Sequence, residues 1–106
     1  MTTFDERENA YESEFAHQEE LSFKVRERAV RLLALWAAEH LDKAAEASQA
    51  YAREIVATDI TDPTPDAAVQ RIVMDLRAKG IGEQEIHQAR DRFLAQAHKA
   101  IRGSAP

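Results

Sequence analysis

The chain of 106 residues contains no cysteine and only three glycines and three prolines. Without cysteine there are no disulfides, no thiolate metal ligands and no cysteine nucleophile, a composition that fits a reducing compartment. Scarce glycine and proline leave few places where a helix must stop. The longest apolar run, Leu32 to Ala38, is seven residues, far short of a membrane span. The opening MTTFDERENA has neither the basic stretch nor the apolar core of a signal peptide. Broad basic surface is missing too. A net charge of −5 argues against non-specific nucleic-acid binding. Together these absences point to a soluble cytoplasmic protein with no direct membrane insertion.

What is present is alanine. It supplies 20 of the 47 residues that make up the 44% hydrophobic fraction. The 27 larger apolar side chains can build only a thin core, so one domain of modest stability is expected. The charge is unevenly spread. Residues 1–20 hold seven acids against Arg7 alone, whereas residues 21–31 hold Lys24, Arg26, Arg28 and Arg31 against Glu27. This short basic cluster directly follows the acidic segment, which makes the segment its first candidate partner.

Helical periodicity organises the chain into four segments. The first is expected to run unbroken from Asp5 to His40, with Leu21, Val25, Ala29, Leu32, Leu33 and Trp36 on its core-facing stripe. A turn is expected near Asp42. The second helix, Lys43 to Thr58, aligns Ala44, Ala47, Tyr51 and Ile55, whose small members would admit a neighbouring helix closely. TDITDPTPD, residues 58–66, is the clearest break, and Thr64 before Pro65 resembles an N-cap followed by a first-turn proline. The third helix, Pro65 to Lys79, would bury Val69, Ile72, Val73 and Leu76. Gly80 stands where a left-handed C-terminal cap is expected, with Ile81 closing the end by an apolar contact. The fourth helix, Glu83 to Arg102, would bury Ile86, Ala89, Phe93, Ala97 and Ile101. The fold class is therefore all-α: a small antiparallel four-helix bundle with a long first helix.

Signals for chemistry are weak. Gly80 and Gly82 in KGIGEQE read as a helix-to-helix turn and not as a phosphate loop. None of the four histidines has metal-ligand spacing, and His87 and His98 lie about 16 Å apart along a helix. Asp66, Asp75, Glu83 and Asp91 read as caps and surface groups, because a general acid or base must be held in a pocket. No cofactor and no metal is expected. The chain does not read as an enzyme.

The acidic segment FDERENAYESEFAHQEE, residues 4–20, carries the functional signal. On an ideal helix Phe4, Tyr11 and Phe15 fall within about 40° of arc, and Val25, Ala29, Leu33 and Trp36 continue near that face. Gln18 and Ser22 interrupt the stripe, marking the edge of the bundle. Residues 1–20 thus read as an arm, frayed or disordered when free, and residues 21–106 as the bundle domain. Burying three rings does not offset the backbone entropy of ordering about 16 residues. Helix hydrogen bonds and contacts to a basic groove must supply the rest, so the arm reads as a helix that folds on a large, positively lined partner. The competing reading packs the three rings on this protein's own bundle. His17, near Glu14 and Glu20, is either a group that tunes the arm by titrating or a plain exposed histidine.

The segment FDERENAYESEFAHQEELSFKVRERAVRLLALWAAEHL resembles the N-terminal half of the zeta subunit family, the inhibitor subunits of alpha-proteobacterial F-type ATP synthases. The carrying residues are Phe4-Asp5, Arg7-Glu8, Tyr11-Glu12, Phe15-Ala16-His17, Glu20-Leu21, Phe23-Lys24, Arg28 and Leu35-Trp36-Ala37-Ala38-Glu39. In the family pattern glycine is usual where Ala34 and Asp42 stand, which leaves the turn geometry at Asp42 open. The resemblance implies a four-helix protein that binds the catalytic head of the synthase and blocks ATP hydrolysis. Its arm would enter an interface between the alpha and beta subunits and reach the gamma stalk, opposing rotation in the hydrolytic direction. Carried over, Phe4, Tyr11 and Phe15 become anchors, Arg7, Glu8, Glu12 and His17 orient the arm, and Asp5 and Glu20 belong to the same partner-binding segment. The free protein would be a cytoplasmic monomer, held at the inner face of the cytoplasmic membrane through the synthase. The alternative is an adaptor bundle whose arm recruits another complex without affecting ATP turnover; a small-ligand binder ranks below it.

Overall fold

The structure, a computed structural model, describes the backbone of residues 2–103 and the side chains of residues 16–101. Four α-helices succeed one another: α1 (Thr2–His40), α2 (Ala45–Thr61), α3 (Ala67–Leu76) and α4 (Glu83–Gly103). A 3₁₀ turn, Arg77–Lys79, extends α3. No strand occurs among the described residues, and the all-α expectation holds.

Helix α1 is the spine, packing most extensively against α2 and α4, with α3 joining the other two. Arg26 meets Asp59 and Arg31 meets Gln49, two pairs placed almost symmetrically about Asp42, so α2 returns antiparallel to α1. Lys79 then reaches Asp42 at 3.4 Å, which brings the end of α3 back to the turn where α1 ended. At 1.5 Å per residue the 39 residues of α1 measure about 58 Å, which accounts for most of the 64 Å long dimension of the molecule. The radius of gyration, 17.5 Å, exceeds the roughly 13 Å of a compact chain this long, because α1 outruns the bundle.

Both sharp turns after helices are satisfied by their own backbone. Asp42 takes the left-handed conformation, φ 58°. Its N–H donates to the Glu39 carbonyl and that of Lys43 to Ala38, closing the end of α1. Gly80, φ 75°, repeats this arrangement: its N–H donates to Arg77 and that of Ile81 to Leu76, while half-buried Ile81 packs against the core. The cap expected at Gly80 is therefore present.

Two expectations need correcting. Helix α3 starts at Ala67, not at Pro65, and Thr64 does not cap it. The Asp62 carboxylate accepts the Thr64 N–H at 2.9 Å, and the Ala67 N–H donates to the Thr64 carbonyl, so a closed turn occupies residues 62–67. Asp66 at φ 56° then redirects the chain into the helix. Helix α2 likewise begins at Ala45, and Ala44 and Ala47 face solvent. The close-approach face lies instead on α1, where Ala29, Ala34, Ala37 and Ala38 are buried. Ala34 has no exposure at all, so packing accepts only a small side chain there.

The core follows the expected stripes. Leu33, Ile55, Ile72, Leu76 and Ile86 are its largest fully buried members, and Val69, Val73, Ala89 and Ala97 join them. Eight of the seventeen buried hydrophobic residues among those described are alanine. This is the thin core that the composition implies.

Candidate protein-docking site

The candidate site is built on the N-terminal part of α1. The helix continues without a break from the bundle into the acidic segment, since no glycine or proline interrupts it. About 36 Å of α1 precedes Arg26, the residue that meets the far end of α2. Side chains of Phe4, Asp5, Arg7, Glu8, Tyr11, Glu12 and Phe15 lie outside the described residues, as does the expectation that the arm is frayed. The described part begins at Ala16. His17, Gln18, Glu19 and Glu20 are all exposed, and Leu21 is the first half-buried residue. Gln18 and Ser22, which interrupt the apolar stripe, are both exposed.

The basic cluster after the arm divides its partners. Lys24 pairs with Glu20 of the arm at 3.3 Å, an exposed i, i+4 contact. Arg26 turns the other way and grips Asp59 of α2: Nε donates to Oδ2 at 3.1 Å and Nη2 to Oδ1 at 2.9 Å. The hydrogen bonds and charge of Asp59 raise the pKa of the Arg26 guanidinium. Arg31 donates to Gln49. Two members of the cluster, Arg26 and Arg31, therefore join α1 to α2, and among the described residues Lys24 alone pairs with an acid of the arm.

Phe23 stands out on this stretch. It is 49% exposed, one helical turn before the Arg26–Asp59 pair, and with Gln18, Glu19 and Ser22 it lines a shallow recess. The other exposed large apolar residues among those described, Ile60 and Met74, belong to α2 and α3. Periodicity gave no sign of Phe23, because it lies off the stripe shared by the arm and the core.

Groups away from this segment have structural roles. Tyr51 on α2 is buried and donates its hydroxyl to Asp75 Oδ2 on α3 at 2.7 Å, so Asp75 is an interhelical partner and not a surface group. Arg71 lies 3.7 Å from Asp75 and 3.5 Å from Glu54. Burial, followed by the bond to Asp75, pushes the Tyr51 hydroxyl well above the usual tyrosine pKa. Asp66 faces Arg90 at 3.6 Å, and Glu83 faces His87 at 3.4 Å. Trp36 meets His40 edge to face at 4.6 Å. Among the described residues no group of three or more His, Cys, Asp or Glu could hold a metal ion, and no helix is long and apolar enough to cross a membrane. The arrangement offers a projecting, largely acidic helix for a macromolecule to bind.

Residues 1–100 match the family model described as ATPase inhibitor subunit zeta. No curated protein and no solved structure matches the chain.

Proposed function

The chain belongs to the ATPase inhibitor subunit zeta family, and from that premise we propose that it inhibits ATP hydrolysis by an F-type ATP synthase. The family match over residues 1–100, arm and bundle together, is the observation that carries this reading. Residues 1–20 act as the inhibitory arm. They lie as a helix in an interface of the alpha and beta subunits and reach the gamma stalk. Phe4, Tyr11 and Phe15 anchor the arm in apolar pockets, Asp5, Glu8, Glu12 and Glu20 meet a basic lining, and Arg7 and His17 help to orient the arm. The bundle after Leu21 is the handle that presents it. Inhibition of this kind blocks a conformational cycle and needs no chemistry on the substrate, so the protein acts without catalysis of its own. It works in the cytoplasm, at the membrane only through the synthase, and is a monomer when free.

The test is ATP hydrolysis by the synthase head from the same cell. The full-length protein is expected to suppress hydrolysis, and a form beginning at Leu21 to leave it unchanged. Full activity in the presence of the full-length protein would sink the inhibitor reading. Equal suppression by both forms would sink the role given to the arm.

A further inference from the structure

We propose that the docking surface does not end with the arm but continues into the folded bundle, with Phe23 as a preorganised anchor for an apolar pocket rimmed by basic groups. This rests on the reading of the protein as an ATPase inhibitor and names a contact outside residues 1–20. Phe23 is a large aromatic side chain left half in water, and aromatic residues are enriched at the energetic centres of protein interfaces. Its position on α1 is continuous with the arm. On an ideal helix it lies about 80° round from Phe15 and about 12 Å further along, so a groove that receives Phe15 meets Phe23 on its wall.

The neighbours of Phe23 specify the chemistry of that wall. Glu19 and Glu27, four residues to either side, are exposed, and neither makes an ion pair with another described residue. Ser22 and Gln18 complete the recess beside the ring with uncharged polar groups. Two free carboxylates flanking one ring fit a pocket with Lys or Arg at its rim, the same charge that the acidic arm requires.

Phe23 also differs energetically from the aromatics of the arm. One turn beyond it, the two hydrogen bonds of Arg26 to Asp59 fix α1 against α2, and Ala29 and Val30 are already buried. The segment that presents Phe23 is thus held in place before binding, so the contact carries no cost of ordering the backbone.

The test compares full-length Phe23→Ala with the unaltered protein and with Met74→Ala, a 69% exposed apolar residue on α3. Each is titrated against the synthase head while hydrolysis and binding are read. Phe23→Ala is expected to weaken binding and inhibition alike by about ten-fold or more, while Phe23→Leu retains most affinity and Met74→Ala is unchanged. All three variants should melt with the unaltered protein, because both positions are exposed. Glu19→Gln/Glu27→Gln should flatten the salt dependence of binding. Equal affinity of Phe23→Ala and the unaltered protein would overturn the anchor while leaving the inhibitor reading intact. An unaltered protein that neither binds nor inhibits would overturn both. A dimer in solution that Phe23→Ala dissociates would assign this face to a second copy and overturn the proposal.

Discussion

Replacing Tyr51 by phenylalanine isolates one hydroxyl in the tie between α2 and α3. The ring is 5% exposed and lies 5.4 Å from the Lys43 ammonium, and both features survive the change. What disappears is the 2.7 Å hydrogen bond to Asp75 Oδ2. A hydrogen bond to a charged group contributes about 1.5–3 kcal/mol. The Asp75 side chain is 34% exposed and Arg71 stays 3.7 Å away, so water and the guanidinium compensate in part. The low end, about 1.5 kcal/mol, is therefore expected, or roughly 6 °C in melting temperature at about 4 °C per kcal/mol. The pH dependence supplies a second signature. Burial and the Asp75 carboxylate raise the folded-state pKa of Tyr51, so its contribution is complete below the unfolded value near about 10 and is lost as pH rises above it. Melting followed by circular dichroism from pH 7 to 11 should show the gap between protein and variant narrowing above about pH 10. A variant that melts with the unaltered protein at pH 7, or a gap that stays constant to pH 11, would refute the assignment of this hydroxyl.

Two further outcomes follow from the joints of α1. Asp42 sits at φ 58°, so Asp42→Gly should be more stable than Asp42→Ala by about 1 kcal/mol, the cost of an ordinary side chain in the left-handed region. Both variants lose the exposed contact with Lys79, which cancels in the comparison; equal melting temperatures would show that the backbone relaxes there. Asp59→Asn should cost about 1 kcal/mol by weakening the two-point contact with Arg26, a value kept low because the Arg26 side chain is 59% exposed. The exchange Arg26→Asp/Asp59→Arg should recover part of that loss, and a swap no more stable than Asp59→Asn would deny the ion pair its role.

The helices were legible because large apolar residues recur at helical spacing: Val69, Ile72, Val73 and Leu76 announce the buried face of α3 unaided. The Gly80 cap was legible for an equally local reason, since only a few residues occupy a left-handed position without strain. Alanine carried no such signal. It suits either face of a helix, which is why Ala44 and Ala47 were expected inside and are exposed, while Ala34 and Ala38 make the close approach. The start of α3 depended on which acceptor the Thr64 N–H would find, and two prolines are compatible with several answers. Tyr51–Asp75 and Arg26–Asp59 join residues 24 and 33 positions apart, beyond the reach of any local pattern. On the arm the acidic charge was plain. Phe23 was not, because an exposed aromatic gains its meaning only once the fold shows that it stays half in water.

The continuity of α1 bears directly on how the proposed inhibitor works. An arm joined to its bundle by a flexible linker would have to nucleate a helix on its partner, and nucleation carries a factor of about 10⁻³. At about 1.4 kcal/mol per factor of ten, that step costs roughly 4 kcal/mol. Here the turn between Leu21 and Arg26 is already helical, and Arg26 and Asp59 hold it against α2. Helical order can extend toward the N-terminus from this fixed end by propagation alone. The charge of the arm fits a basic groove, because residues 1–20 hold seven acids against Arg7 alone. In the proposed function the alanine-rich core therefore needs no great stability. Its task is to hold one end of α1 still, and a small bundle clamped at Arg26 and Asp59 is sufficient for that.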